Sequence, residues 1–551
     1  MFFTILREFF VVLEVLFIFN LIIVVHELGH FLAARWRGLV IEEFGVWFGK
    51  PLWRKKIGGV YYSFGSMPFG GFVKLPQLAD MSAIEGQTEN SAPLPKISPL
   101  DKIIVAFAGP LFSFALALAF AGLVFVVGRP VGEAEATTTI GYVQEDSPAA
   151  KAGLLAGDKI LTVDGVKVTR WMGMGNDCIQ WRVVRSEGET VPFEVEREVN
   201  GKLVTKTLDP APEIPQTSIF VRKGMREIGI EPAYTPMVAK VEPGSDAADK
   251  DRLQANDLIL AINGEKLLSV DGIEDYIKNH PNDAIVLTVE RAGQRLELPY
   301  ATRGAVIGAL LTNGPAATAG LKSGDSIAKI DGHPVPNGLW ATDYIHQHKG
   351  QPVNFTIVRD GQTKDISVTP VVPLSGSKDP MIGVGWKSNS DGIEWDDSGI
   401  QHVVHPRPWE QVRQSALSIV NTISGLISSK SNLSIEHLGG PVMIARVYYH
   451  LFQNPDGWKM ALWFSVFFNV NLAIINMLPI PVLDGGHITL ALLEAVRRKP
   501  VNVRLVEIVQ TACAMLVIGY MLFITYFDVS DFFGITPRDQ IRFATPASQS
   551  H

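Results

Sequence analysis

His26-Glu27-Leu28-Gly29-His30 (HELGH) closes a long apolar run, FFVVLEVLFIFNLIIVV at 9–25. Two imidazoles and a carboxylate are costly in a bilayer-spanning helix, where ionisable groups face a partner, a cavity or an ion. At a spacing of four, His26 and His30 lie on one helix face and can share a metal. Glu27, beside the first, is placed to act as a general base. The stretch therefore predicts a zinc hydrolase embedded in a membrane, and a fold built on spanning helices. The apolar core is longer than that of a cleaved leader, and cleavage near Ala33-Ala34 would remove the motif, so a retained span is expected.

Three further stretches have the roughly 20 apolar residues that a crossing requires. The expected fold is a multi-pass α-helical membrane protein with four transmembrane helices, a membrane-associated β-hairpin and inserted α+β domains. The helices are assigned to 1–35, 102–129, 459–487 and 505–528. Basic residues set the orientation. Arg35, Arg37, Lys50, Arg54, Lys55, Lys56, Lys74, Lys96 and Lys102 follow the first span, and Arg497, Arg498, Lys499 and Arg504 lie between the last two. By the positive-inside bias both connections face the cytoplasm. The insert between the second and third spans and the tail at 529–551 then face the other side. His30 and Asp484 are thereby placed at the same depth.

At 551 residues several domains are expected, and a net charge of −7 gives no reason to expect a nucleic-acid partner. A hydrophobic share of 47% fits a few spans joined to a large soluble portion. The two cysteines, Cys178 and Cys513, fall in unlike surroundings and form no Cys-rich zinc cluster.

The cytoplasmic segment at 36–101 contains EEFGVWFGKPLW and GGVYYSFGSMPFGGFVKL, with a hairpin turn at Lys55–Gly59. Such an apolar hairpin either packs on the surface or dips back toward the active site under the shelter of protein or a water-filled cavity. A free strand edge there would accept an extended peptide. The stretch at 78–99 is polar and reads as a mobile linker.

The insert carries an internal repeat. SPAAKAGLLAGDKILTVDG ends at Gly165, and GPAATAGLKSGDSIAKIDG ends at Gly332. A weaker copy between them, PGSDAADKDRLQANDLILAING, has Asn256 where the others have the turn glycine. Each is followed by a helical stretch and a strand pair, and each resembles a PDZ domain of the permuted type found in bacterial proteases. The domains are assigned to 138–234, 235–303 and 304–390. Residues 405–455 read as an amphipathic region lying on the membrane surface.

Catalytic zinc takes three protein ligands and keeps one position open. Asp484 in NMLPIPVLDGGH (476–487) is the favoured third ligand, with Pro479 and Pro481 breaking the helix and Gly485 and Gly486 freeing the backbone. His487 is the alternative ligand. Glu14 lies three turns from the motif and is expected in a polar crevice or near the outer interface. Asn469, Asn471 and Asn476 offer amides that either help an unwound peptide or bond between helices.

HELGH in a first span, GGFVKL at 70–75, AGP at 108–110, the PDZ-like repeats and NMLPIPVLDGGH together resemble the site-2 proteases, intramembrane zinc metalloproteases of peptidase family M50. The resemblance covers nearly the whole chain. It implies zinc on His26, His30 and Asp484, with Glu27 as general base and acid. It implies that Asn476 helps hold substrate and that the hairpin, with Gly70, Gly71, Phe72 and Val73, pairs with the unwound peptide; Asn471 is a further candidate contact by its amide alone. Substrates would be single-pass membrane proteins already trimmed outside, such as an anti-sigma factor or signal-peptide remnants. The protein would sit in the cell inner membrane with periplasmic PDZ domains. Ser113 departs from the pattern, since many relatives carry Asn there.

Two other functions compete. A membrane-anchored PDZ adaptor with a non-catalytic metal site has no use for Glu27. A metal transporter has no use for the repeats.

Overall fold

The computed structural model describes residues 2–77, 97–173, 175–215, 222–242, 252–300, 304–374, 377–387, 392–454, 456–498, 501, 503–532 and 543. Most of the stretch at 78–99 and of the tail at 529–551 lies outside them. The chain divides into two units: 1–130, 403–428 and 434–529 form the first, and 131–402, 429–433 and 530–551 the second.

The first unit is helical. Four of its helices contain segments long and apolar enough to cross a membrane: Ile5–Arg37, Pro99–Val127, Gly457–Asn476 and Val506–Asp531. Helix α1 (Phe2–Arg37) packs against α2 (Pro99–Val127) so closely that a Cβ on Gly29 would lie 2.4 Å from the Ala108 carbonyl oxygen. Ser98 and Asp101 form a capping box at the start of α2, and Arg37 at the end of α1 donates to Asp101 at 2.6 Å. One charge pair thus joins the end of one long helix to the start of the next.

Between them runs the hairpin, β1 (Glu43–Ile57) and β2 (Val60–Lys74). Its turn is Gly58-Gly59, both at positive φ, as a two-residue hairpin turn requires. Residues 53–57 pair with 60–64, while 43–46 lie between 61–64 on one side and 71–74 on the other. The hairpin packs on α1 through Phe44, Tyr62 and Val73 against a core that includes Phe31, Leu39 and Ile41. Leu52, Trp53, Ile57 and Phe69 remain exposed.

Helix α3 (Pro408–Ile427) opens the region expected to lie on the membrane surface. It packs against α2 and α5 (Gly457–Asn476), with Gln411 donating to the Ala121 carbonyl at 3.0 Å. Its buried face is largely polar or small (Gln411, Ser415, Ser418, Asn421, Gly425), which permits close approach. Helix α4 (Pro441–Phe452) brings Tyr448 into the core, where its hydroxyl meets Ser465 at 2.8 Å.

The third long apolar helix differs from the range expected at 459–487. Helix α5 ends at Asn476, and a new helix, α6 (Asp484–Arg497), begins after a short loop. Pro479 and Pro481 cannot continue the ladder of N–H bonds. Gly485 and Gly486 let the new helix start against that loop: a Cβ on either would stand 2.2–2.4 Å from the carbonyl oxygens of Met477, Leu478 or Ile480. The last helix, α7, runs over Val503–Phe532.

The second unit holds three α+β copies with separate cores, and in each a strand hairpin follows the helix. In the third copy the strand order is Gln362–Val368, Val353–Arg359, Ser326–Ile330, Ala305–Leu310 and Val384–Trp386. The second copy has the same order, but its closing strand is Ile393–Asp396, paired with Met237–Val241. This corrects the boundary expected at 235–303, because the third copy is inserted into the second.

An ion pair recurs in all three. Asp158, Asp257 and Asp325, each 0–1% exposed, receive two bonds from Arg197, Arg291 and Arg359 at 2.6–2.7 Å. The same carboxylates accept the backbone N–H of Leu155, Gln254 and Lys322 at 2.7–3.0 Å. Asn256 adopts φ 70, close to the φ 89 and 92 of Gly157 and Gly324, so the middle copy keeps its turn without glycine.

Candidate active site

Helix α1 presents His26 and His30 one turn apart, and α6 brings Asp484 to them from its first turn. That end of a helix favours a carboxylate. His26 Nε2 lies 3.2 Å from Asp484 Oδ2, His30 Nε2 lies 3.3 Å from Oδ1, and the two Nε2 atoms are 3.2 Å apart. Among the described residues His26, His30 and Asp484 form the group of ligand atoms close enough to hold a metal, all within 4.8 Å of one another. His487 is not in it.

The outer ring nitrogens are oriented by α2. His30 Nδ1 donates to the Val105 carbonyl at 2.8 Å, which leaves the Nε2 lone pair facing the cluster. His26 Nδ1 meets the Ser113 hydroxyl at 3.0 Å. The Asp484 Oδ2 is buried without a hydrogen-bond partner. Two imidazole nitrogens and an unbonded carboxylate oxygen crowded at this distance repel one another unless a cation lies between them. The donor set fits zinc, which at a catalytic site takes three protein ligands and keeps a fourth position for water or substrate.

Glu27 faces the hairpin. A Cβ on Gly71 would stand 3.6 Å from Glu27 Cγ, and the Val73 backbone N–H interacts with the Glu27 carboxylate. Asn20, two turns earlier, donates to the Pro68 carbonyl at 3.1 Å. The segment at 68–73 is therefore held along one face of α1. Phe72 stacks on Phe48 with ring centroids 6.1 Å apart, and Gly70, at φ 88, has no room for a side chain beside the Phe48 ring.

The asparagines divide. Asn476 Nδ2 reaches 3.5 Å from His26 Nε2. Asn471 and Asn469 each bury a side-chain oxygen without a partner, and Asn469 donates to the Ser465 carbonyl at 2.8 Å. Glu14 does not lie in a polar crevice. It is the one charged residue among those lining an open apolar pocket, with Phe10, Leu13, Phe17, Phe452 and Trp458.

Three contributors on α2 escape a reading of residue type alone: Ser113, the Val105 carbonyl and Gly109. A Cβ on Gly109 would lie 2.1 Å from His30 Nε2. The Ala108-Gly109-Pro110 motif was the available signal for that close approach.

Over residues 14–520 the chain matches the model of peptidase family M50. A Neisseria meningitidis protein described by inference as a zinc metalloprotease is 28% identical, covering 89% of this chain and 93% of its own. Protease RseP of Yersinia pestis is 26% identical, covering 92% and 95%. Among solved structures, the PDZ domain of an SdrC-like protein from Listeria monocytogenes matches 16% of this chain and 90% of its own, at 24% identity and a TM-score of 0.15. The chain belongs to peptidase family M50 and is a zinc metalloprotease.

Proposed function

We propose that this enzyme hydrolyses peptide bonds within the transmembrane segments of single-pass membrane proteins, with zinc on His26, His30 and Asp484 and with Glu27 as the catalytic carboxylate. The observation that carries the reading is the convergence of His26 Nε2, His30 Nε2 and the Asp484 carboxylate from opposite ends of the chain. Zinc held there would supply Lewis acidity to the scissile carbonyl and to the attacking water. Glu27 takes the proton of that water and delivers it to the leaving amide nitrogen. Val105 and Ser113 keep the two imidazoles turned inward.

A helical substrate hides its carbonyls, so it must unwind before it can react. The segment Gly70–Val73 runs beside Glu27 and offers an extended backbone for pairing. Asn471 and Asn476 offer amide groups to the same peptide, and the unsatisfied Asn471 oxygen supports that role.

The positive-inside bias places the active site toward the cytoplasmic side of the inner membrane and the repeat copies in the periplasm. There the copies act as PDZ-like domains that exclude bulky outer domains. Substrates are proteins already trimmed outside, of the anti-sigma factor type or signal-peptide remnants.

The test compares wild type with Glu27→Gln on a truncated single-span substrate in detergent or lipid. Zinc retained with cleavage lost is the expected result. Equal cleavage by both would overturn the assignment of Glu27.

A further inference from the structure

Glu14 is the one ionisable residue between Glu8 and His26, in a stretch of α1 that is otherwise apolar apart from Asn20. At the rise of an α-helix it lies about 9 Å from Glu8 and about 18 Å from His26, so it has no part in the metal cluster. Among the described residues it has no hydrogen-bond or ion-pair partner. An ionisable side chain at such a depth in a bilayer faces a partner, a cavity or an ion.

Glu14 faces a cavity. The space, about 390 Å³ and open, lies among α1, α4 and α5, with walls that include Phe10, Leu13, Phe17, Phe452, Trp458 and Leu462. That volume is in the range of sites for small ligands.

Polar contacts gather at one end of it. Arg7 donates to the Gln453 carbonyl and the Tyr449 hydroxyl donates to Glu8, which joins the start of α1 to the end of α4. Lys459 pairs with Asp456 at 2.8 Å where α5 begins. Charged side chains with Tyr and Trp make up the composition of a membrane–water interface. Helices α1 and α5 run inward from this belt and α4 ends at it, so the cavity lies on its apolar side. Side chains of an α-helix tilt toward its N-terminus, which turns the Glu14 carboxylate toward the belt.

An occupant must offer a hydrocarbon chain to the walls and a cation to the carboxylate at the belt end. A carboxylate away from water also needs N–H donors, because a charge left unbonded there is costly. A primary ammonium brings three donors, a quaternary ammonium brings none, and an anionic headgroup is repelled.

We propose that this cavity binds a phospholipid with a primary ammonium headgroup, its ammonium on Glu14 and one acyl chain against Phe10, Phe17 and Trp458. Such binding is independent of the metal cluster, and its test involves no cleavage.

The full chain, purified free of lipid in detergent, is titrated with dioleoyl phosphatidylethanolamine, phosphatidylcholine or phosphatidylglycerol and weighed by native mass spectrometry. The first lipid bound should favour phosphatidylethanolamine on the order of tenfold over the other two, the size of one charged hydrogen bond. Glu14→Gln should abolish that preference, and Leu13→Trp, which fills the cavity, should abolish the tight first binding. For position, phosphatidylethanolamine with a diazirine in one acyl chain is added to phosphatidylcholine nanodiscs that hold the chain. Labelling should concentrate on 10–18 and 457–462 in wild type. In Glu14→Gln it should fall there to the level of α7, where Met515, Leu516 and Leu522 are 65–73% exposed. Equal affinity for the three lipids, a preference retained in Glu14→Gln, or even labelling of all the long helices would overturn the proposal. A dimer in the lipid-free spectra that Leu13→Trp dissolves would put a second copy in the cavity and overturn it as well.

Discussion

Gly109 lies so near His30 that a methyl group in place of its hydrogen would meet Nε2 at 2.1 Å, and His26 Nε2 at 2.8 Å. The face of α2 toward the cluster is thus bare backbone at its closest point. Neither imidazole can retreat, because each has its other nitrogen bound to α2. Gly109→Ala should therefore cost the enzyme its zinc while the repeat copies remain folded. Metal content of the purified protein, read beside hydrogen exchange of the repeat strands, checks this. Full zinc occupancy in the variant would contradict the geometry.

Ser113 makes a smaller contribution. Its hydroxyl fixes His26 through Nδ1, and outer partners of this kind typically change metal affinity by about 10- to 100-fold. Ser113→Ala should weaken zinc binding by roughly tenfold, and Ser113→Asn should largely restore it, since an amide can also meet an imidazole nitrogen. Competition with a calibrated chelator distinguishes the two variants. Equal affinities for wild type and Ser113→Ala would leave the hydroxyl with no role in orientation.

The parts legible in the sequence are those with strong local chemistry. Histidines in an apolar helix stand out because lipid penalises them, and the Pro-Gly context of Asp484 marks a break where a carboxylate can turn inward. The Gly-Gly turn of the hairpin and the repeated Gly-Asp turn of the copies are equally local. The nesting of the third copy inside the second was not legible, because a closing strand of four residues such as Ile393–Asp396 has too little periodicity to stand out. The end of α5 at Asn476 was within reach, since Pro479 and Pro481 forbid a continuous helix to 487. The ion pair in each copy leaves only a weak mark in the sequence: Arg291 and Arg359 stand just before the turn that joins two strands, but Arg197 stands two residues earlier in its strand.

Gly71 stands where the hairpin meets the catalytic carboxylate of the proposed mechanism. A Cβ there would have ordinary contacts, 3.4 Å from the Gly45 carbonyl oxygen and 3.6 Å from Glu27 Cγ, but the two further methyls of valine would press on one or the other. Gly71→Val should retain zinc and reduce kcat by roughly 100-fold, because misplacing a catalytic group by about 1 Å costs on that order. Gly71→Ala should be far milder. Zinc content and single-turnover cleavage together separate this from a loss of metal. A valine variant with wild-type turnover would place Glu27 elsewhere during reaction.

The Arg359–Asp325 pair makes the third copy sensitive to acid. Burial alone would raise the Asp325 carboxyl, but bonds from the Arg359 guanidinium and the Lys322 N–H outweigh it and hold the group below its ordinary 3.8. A depressed carboxylate contributes stability that is fully present above its unfolded value and is lost as pH falls through the folded value. The strands Ser326–Ile330 and Val353–Arg359 should therefore keep their protection at neutral pH and lose it only below about pH 4. Arg359→Met removes the partner and leaves a carboxylate that is 1% exposed, so its pKa rises and the loss moves to higher pH. Hydrogen exchange of those strands across a pH series reads both effects, with the variant on the order of tenfold less protected at pH 5. If wild type and Arg359→Met lost protection at the same pH, the carboxylate would owe its charged state to something other than the guanidinium.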